Sequence, residues 1–152
     1  MSGGRKRVLA VSSGGGHWQQ LMQLRPAFAH HDCHFATTVA GLAEQYAATP
    51  AHLIPDCNRN APLAALRALS ATRTLVRQVR PDVVISTGAM PGVLTLWWGR
   101  RHGARTIWVD SVANAERLSM SGALALRFAD LCLAQWETVA RETGARHAGA
   151  LL

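Results

Sequence analysis

The sequence has few cysteines, no long apolar run and only nine acidic residues. Its three cysteines, Cys33, Cys57 and Cys132, are odd in number, widely spaced and free of any Cys-x-x-Cys pair. This pattern excludes a disulfide framework and a cysteine-based zinc site, and it favours a reducing cytoplasm. No segment approaches the roughly 20 apolar residues that cross a bilayer, and the basic start does not lead into a signal peptide. We therefore expect a cytoplasmic protein whose membrane contacts are peripheral.

Charged residues are scarce as well, at 16% of the 152 residues, whereas 49% are hydrophobic. This balance excludes an intrinsically disordered protein, and the length predicts a single domain over residues 1–152. The 16 basic residues give a net charge of +7, whose field would attract anionic lipid, phosphate-bearing ligands or nucleic acid. A compositional bias without any function explains the charge equally well.

Strand and helix patterns alternate along the chain, which predicts an α/β fold with a doubly wound, Rossmann-like parallel sheet. The clearest helix runs from Pro62 to Val79, with Pro81 just past its end. One stripe of small and apolar residues should face the sheet, namely Ala64, Ala68, Ala71, Leu75 and Val79. Asp82 to Ser86 has the continuous apolar character of a strand buried on both faces. The other predicted strands cover residues 7–12, 34–39, 52–54, 106–109, 131–134 and the last residues. The other predicted helices cover residues 18–28, 43–48, 93–102, 124–129 and 138–143.

A glycine loop follows the first predicted strand, in the segment Ser13-Gly14-Gly15-Gly16-His17. Glycines let the backbone approach a ligand, and the amides of the following helix suit a diphosphate or a similar anion. Ligands of open α/β sheets lie beyond the carboxyl ends of the strands, where this loop stands. The loop has neither the GxGxxG spacing nor the lysine of a Walker loop. The alternative is a tight turn selected for its geometry alone.

His17 opens the predicted helix, where the positive end of the helix dipole favours an uncharged imidazole. An uncharged ring at this place is a candidate general base for a hydroxyl group. A histidine that only stabilises the loop is the alternative interpretation.

A second glycine loop, Gly88 to Gly92, follows the buried strand and is expected to open at the same edge as the first. Asp110 follows the next strand, so it should reach that edge too. The polar residues after it could hydrogen-bond sugar hydroxyls or a diphosphate, namely Ser111, Asn114, Glu116, Arg117 and Ser119. Alternatively, Asp110 only caps a turn.

Two helical segments combine apolar and basic side chains on surfaces that a membrane would attract. Trp97 and Trp98 are adjacent and cannot both face the core, and Arg100 and Arg101 follow them. One tryptophan is therefore expected at the surface, against lipid headgroups or another subunit. The long helix has a similar face, with Leu66, Leu69, Arg73, Arg77 and Arg80.

The cluster of His30, His31, Cys33 and His34 has the residue types of a metal site but no further ligand at a suitable spacing. A solvated turn explains it better. We expect neither a metal nor another cofactor.

Three motifs, in this order, resemble a known family: SSGGGH at Ser12 to His17, PDVVISTG at Pro81 to Gly88, and VDSVANAERLSMSG at Val109 to Gly122. They are similar to the accessory subunit of the two-part UDP-GlcNAc transferase of asparagine-linked glycosylation, and to its bacterial relatives in capsule and exopolysaccharide assembly. ALRFADLCLAQW at Ala125 to Trp136 continues the match. The family also resembles the N-terminal half of the peptidoglycan N-acetylglucosaminyltransferase, a GT-B enzyme.

The resemblance implies a subunit that binds a polyprenyl-diphosphate-linked glycan acceptor at the inner face of the membrane. A separate partner, similar to a GT-B C-terminal domain, would hold the UDP-sugar, and catalysis would occur between the two chains. On this comparison Gly14, Gly15 and Gly16 would meet the acceptor diphosphate, His17 would be the base, and Gly88 and Gly92 would form the second acceptor loop. Asp110 stands where relatives commonly carry Glu, which implies a shared acidic role.

Two other classes of function compete with this interpretation. A basic α/β module that binds nucleic acid is supported by charge alone, since the arginines follow no RNA-binding pattern. A stand-alone Rossmann-type nucleotide-binding enzyme would need an acidic residue near the end of the second strand to hold a ribose. Residues 33–41 contain none.

Overall fold

A computed structural model of the chain describes residues 3–57 and 60–151. One six-stranded sheet runs through these residues in the order β3-β2-β1-β4-β5-β6, and every strand pair is parallel. The strands are β1 Arg7–Ser12, β2 Asp32–Thr37, β3 Ala51–Leu53, β4 Val83–Gly88, β5 Arg105–Val109 and β6 Leu131–Leu133. The helices are α1 Gly16–Leu24, α2 Leu42–Gln45, α3 Pro62–Val79, α4 Met90–Arg101, α5 Met120–Leu126 and α6 Glu137–Thr143.

The sheet is doubly wound, as the sequence predicts. From β1 the chain builds outwards through β2 and β3, then returns through α3 to place β4 on the other side of β1. The strand order therefore reverses between β1 and β4, which is where ligands of open α/β sheets bind.

Helices cover both faces of the sheet because the central strands are apolar on both faces. In β1, Leu9 and Val11 pack with α3, α4, α5 and α6, whereas Val8 and Ala10 pack with α1 and α2. Helices that follow parallel strands run back along them, so α1, α4 and α5 all begin at the carboxyl edge of the sheet. That edge is where the predicted loops lie.

Helix α3 has the predicted bounds. Pro62 lies in its first turn, where a missing N–H costs no hydrogen bond, and Arg80 ends it in the left-handed conformation at φ 52°. The predicted core stripe is buried at Ala68, Leu75 and Val79. Its other two members, Ala64 and Ala71, are only partly buried.

Several predicted boundaries are wrong, and capping or proline explains most of them. Helix α4 begins three residues before the predicted Val93, because Pro91 fits the first turn of a helix. Helix α5 begins at Met120 because the Ser119 side chain accepts a hydrogen bond from Gly122 N. Helix α1 stops at Leu24 and continues as a 3-10 turn. The predicted last strand is absent from the described residues, which have only an isolated bridge between Leu133 and Arg146 there.

No helix in the described part of the chain combines the length and the apolar character needed to span a bilayer.

Candidate functional site

The two glycine loops meet at the switch point of the sheet. Ser13 N donates a hydrogen bond to Gly88 O at 2.9 Å, and the β1–β4 register shifts so that Ser12 lies opposite Gly88. The second loop is shorter than predicted, because Gly88 ends β4 and Met90 already begins α4. Two helix N-termini, those of α1 and α4, are thereby brought to one place.

The first loop exposes the start of α1. Gly15 has φ 64° and ψ −138°, a conformation that glycine adopts without strain. A Cβ added at Gly15 or at Gly16 would meet no atom within 4 Å, and no side chain caps the helix. The first N–H groups of a helix lack intrahelical acceptors, so this turn offers them to an approaching anion. Gly14 differs, since a Cβ there would lie 2.6 Å from the Val39 side chain.

His17 ties the first loop to the second. Its Nδ1 lies 3.0 Å from Thr87 O, and the Thr87 hydroxyl donates back to His17 O at 2.6 Å. A carbonyl oxygen only accepts, so the bond requires the proton of an uncharged ring to lie on Nδ1. Nε2 is then the nitrogen that can accept a proton. The ring also lies against Gly88, which has φ 139° and where a Cβ would collide with it.

Gly92 lies inside the fold. It is buried in the first turn of α4, and its N–H bonds Ala89 O at 3.1 Å. A Cβ at this position would collide with the Ser86 hydroxyl of β4. Close packing of helix on strand therefore explains this glycine. The contact of Gly92 with an acceptor diphosphate stays a prediction. The buried position of this glycine does not favour such a contact.

Asp110 reaches the expected edge, but its carboxylate faces the protein. The residue is 2% exposed. Oδ1 accepts from Trp108 Nε1 at 3.0 Å and from Ser119 Oγ at 2.6 Å. Oδ2 accepts from Asn114 Nδ2 at 3.1 Å and from Ser119 N at 2.9 Å. The predicted catalytic role stays a prediction, and the arrangement favours a positioning role for Asp110 in the 111–119 loop.

The other predicted polar residues divide between this loop's framework and its surface. Ser111 is buried, and its hydroxyl accepts from Gln20 Nε2 at 3.1 Å and from Ala113 N at 3.2 Å. Asn114 is partly buried against Asp110. Glu116 is exposed, and no other described residue pairs with its carboxylate. Of these three side chains, Glu116 is therefore the one most available to a ligand.

Two buried glutamines that the sequence analysis missed connect α1 to this loop. Gln135 Nε2 donates to Gln20 Oε1 and, at 2.9 Å, to Asp110 O. Gln20 Oε1 also accepts from Val112 N at 3.3 Å. Gln135 Oε1 accepts from Leu151 N at 2.7 Å. Gln20 lies one helical turn after His17, so this network fixes the helix that carries His17.

Cys132 is buried in β6, and its surroundings do not activate its thiol. Burial and, to a smaller extent, the charge of Asp110 together raise the pKa of this thiol to about 12. At neutral pH the thiol therefore stays protonated, and the thiolate is the reactive form of cysteine.

His34, from the histidine cluster, pairs with a histidine of the neighbouring strand. Its Nδ1 lies 3.3 Å from His52 Nε2. Burial lowers the pKa of His52, and the charge of His34 lowers it further. Within residues 3–57 and 60–151, no group of three or more potential ligands is placed to hold a metal ion.

Comparison with known proteins now identifies the family. The sequence profile of the family described as "Oligosaccharide biosynthesis protein Alg14 like" matches residues 51–151. The chain belongs to the Alg14 family. It is also 39% identical, over 98 residues, to the UDP-N-acetylglucosamine transferase subunit ALG14 of Eremothecium gossypii, covering 59% of this chain and 44% of that protein.

Solved structures of other proteins have the same fold as this chain. MurG of Acinetobacter baumannii superposes with a TM-score of 0.76 at 16% identity, over 97% of this chain and 46% of that one. The UDP-N-acetylglucosamine 2-epimerase of Rickettsia bellii superposes with a TM-score of 0.70 at 11% identity, over 96% of this chain and 45% of the epimerase chain. The fold is that of a GT-B N-terminal domain, as predicted. The chain spans less than half the length of each of these three relatives, and the two structural likenesses show the fold alone.

Proposed function

We propose that residues 1–152 form the acceptor-side domain of a two-part glycosyltransferase in polysaccharide or lipid-linked oligosaccharide biosynthesis. The observation that carries the proposal is the combination of Alg14 family membership with a fold matching about half of a GT-B chain. Relatives named as a transferase subunit and as MurG support it. The chain binds a polyprenyl-diphosphate-linked glycan and recruits a donor-binding partner to the membrane.

The acceptor diphosphate fits the start of α1. Gly15 and Gly16 leave open space beside helix N–H groups, and the helix dipole favours negative charge there. Gly14 shapes the same turn and Gly88 joins it from β4. In this role the glycines keep the backbone free of side chains that would hold the diphosphate away.

His17 is the base in this proposal. Nε2 removes the proton of the attacking acceptor hydroxyl, whose oxygen bonds to the anomeric carbon of the donor sugar. The bond from that carbon to the UDP oxygen breaks, and the electron pair leaves with UDP. Thr87 O accepts the hydrogen bond of Nδ1–H, so in the uncharged ring Nε2 is the nitrogen that takes the proton.

The 111–119 loop forms the other wall of the acceptor site. Asp110, Ser111 and Asn114 hold it in place through the contacts described above, and Glu116 offers its carboxylate to sugar hydroxyls. This assigns positioning roles to three residues and a binding role to one.

The partner holds the UDP-sugar and covers the carboxyl edge. Two grooves, of about 700 and 610 Å³, lie at the amino edge of the sheet instead. An open carboxyl edge is consistent with a site completed by a second chain, as in a GT-B enzyme whose two domains enclose the substrates.

Exposed apolar and basic side chains of α3 and α4 provide the membrane contact. Leu63 is 72% exposed and Leu66 is 61% exposed, both in the first half of α3. Trp97 of α4, 40% exposed, has the Arg101 guanidinium over its ring. Trp98 is the inner tryptophan of the predicted pair, and its Nε1 donates to Leu69 O at 2.9 Å. Aromatic and basic side chains together favour the headgroup region of anionic membranes.

Binding to vesicles tests this surface. We expect Leu63→Ser with Leu66→Ser to weaken sedimentation with phosphatidylglycerol vesicles, because both side chains would insert among the lipids. Leu53→Ser is the matched control, since Leu53 is 63% exposed on the edge strand β3. An equal loss of vesicle binding in Leu53→Ser would contradict a membrane role for Leu63 and Leu66.

Affinity purification from the membranes of its own host tests the two-part enzyme. We expect the tagged chain to bring down a small GT-B-like partner, and the eluate to transfer sugar from UDP-sugars to polyprenyl-diphosphate glycans. The chain alone should be inactive. His17→Ala should lower kcat, whereas His30→Ala, at an exposed turn, should not. Activity of the purified chain alone would refute the division of labour.

A further inference from the structure

A groove at the amino edge of the sheet, at the opposite end of the strands from the candidate site, has a volume of about 700 Å³. It lies where α3 and α4 end and where β4 and β5 begin. Four exposed cations line it, Lys6, Arg77, Arg80 and Arg105. Its volume is within the range of small-molecule sites, about 300–1,000 Å³.

Among the described residues, the four cations have no ion-pair partner. Over residues 3–57 and 60–151, none of their side chains forms an ion pair or a hydrogen bond. Asp82 is the carboxylate among the lining residues, and its Oδ2 already accepts from Arg7 N at 2.8 Å. The four cations outnumber this one carboxylate, so the groove has a net positive charge.

The helix dipole accounts for only half of this cluster. Arg77 is in the last turn of α3 and Arg80 caps it, so both lie near a negative helix end. Lys6 and Arg105 stand at the starts of strands, where the net dipole of a sheet is small. Cations drawn from separate elements to one groove repel each other unless an anion lies between them.

Part of the groove is apolar, which narrows the class of anion. Val76, Pro81 and Val83 line it beside the cations. A bare inorganic ion would leave this apolar wall in water, whereas the carbon skeleton of an organic phosphate would cover it. Guanidinium groups bind phosphate oxygens through paired hydrogen bonds.

We propose that this groove binds the phosphate group of a small organic phosphate. Arg77, Arg80 and Arg105 hold the phosphate oxygens, Lys6 adds a fourth positive charge, and the apolar wall packs against the organic part. The site is separate from the carboxyl edge and does not depend on the proposed transferase function. The phosphate of a lipid headgroup has the same chemistry, but the exposed leucines of α3 lie toward the other end of that helix.

Titration of the ¹⁵N-labelled chain with glucose 1-phosphate tests the proposal, with glucose as the uncharged probe. We expect saturable amide shifts near residues 77–82 and 102–105 with glucose 1-phosphate only. Arg77→Gln and Arg105→Gln should each weaken binding about tenfold, because each removes a charged contact. Arg141→Gln is the matched control, since Arg141 is an exposed arginine of α6 that faces Glu137, and it should bind as the unchanged chain does.

Three results would overturn the proposal. They are the absence of a saturable shift, binding by the Arg77 and Arg105 variants as tight as that of the unchanged chain, and shifts confined to residues 14–17. Binding of an RNA oligonucleotide without binding of glucose 1-phosphate would also overturn it and would favour a nucleic-acid surface. Phosphatidylglycerol vesicles distinguish the source of the phosphate. Vesicle binding that Arg77→Gln and Arg105→Gln abolish would support the site with a lipid headgroup as its ligand.

Discussion

The carboxylate of Asp110 is expected to contribute a large share of the stability of this chain. Asp110→Ala removes the acceptor of four hydrogen bonds. Trp108 is 1% exposed, so its indole N–H loses its partner without replacement, at a cost of about 1–3 kcal/mol. The three bonds from Asn114 and Ser119 lie in a partly buried loop, where water replaces each in part, at about 0.5–1.5 kcal/mol apiece.

Together these losses amount to about 2.5–7.5 kcal/mol, a large fraction of the 5–15 kcal/mol that stabilises a typical domain. Urea unfolding followed by tryptophan fluorescence measures the change as a lower midpoint at constant slope. Asp110→Asn keeps one oxygen and should lose about half as much. Glu116→Gln, in the same loop but exposed, should change stability by less than about 0.5 kcal/mol. A loss below about 1 kcal/mol for Asp110→Ala would refute the positioning role.

Three further predictions concern the glycines of the site, Cys132 and Asp130. Gly92→Ala should cost about 1–3 kcal/mol, because its Cβ would collide with Ser86, whereas Gly16→Ala should preserve stability and weaken acceptor binding. Equal unfolding midpoints for the two would contradict this difference. Cys132 should react with a thiol reagent at pH 8 at least about a hundredfold more slowly in the native chain than in urea, and similar rates would show that it is accessible. Hydrogen bonds outweigh burial and lower the pKa of Asp130, so Asp130→Asn should cost about 1–2 kcal/mol at pH 7. This cost should shrink as the pH falls from about 4 toward the lowered native pKa, because the unfolded chain then binds a proton at Asp130 that the native carboxylate does not. A cost independent of pH would exclude the ionised carboxylate as its cause.

Local patterns predicted the fold because each element carries its own signal. The bounds of α3 follow from two prolines and an apolar stripe. The apolar run of β1 predicts a strand, and that of β4 predicts a strand buried on both faces. The start of α5 was missed because the cap of Ser119 lies ahead of the apolar residues used to recognise the helix. Gly92 shows the same limit at the site, since a glycine needed for helix packing has the same sequence signal as one that faces a ligand.

Long-range polar contacts were beyond the reach of these patterns. Gln20 and Gln135 are 115 positions apart in the sequence, and neither belongs to a periodic or glycine-rich motif. Their pairing depends on α1 and β6 reaching the same edge of the sheet, which only the assembled fold determines. The loop contacts of Asp110 are nearer in sequence, but an acidic residue after a strand is equally consistent with a turn cap and with a catalytic group.

Photo-crosslinking in the reconstituted two-chain enzyme tests the central claim most directly. One probe is a polyprenyl-diphosphate glycan with a photoreactive sugar, the other is a photoreactive UDP-sugar, and mass spectrometry assigns the labelled residues. We expect the acceptor probe to label this chain around residues 14–17 and 111–119, and the UDP-sugar probe to label the partner. Labelling of residues 14–17 by the UDP-sugar probe, with the acceptor probe on the partner, would contradict an acceptor-side subunit.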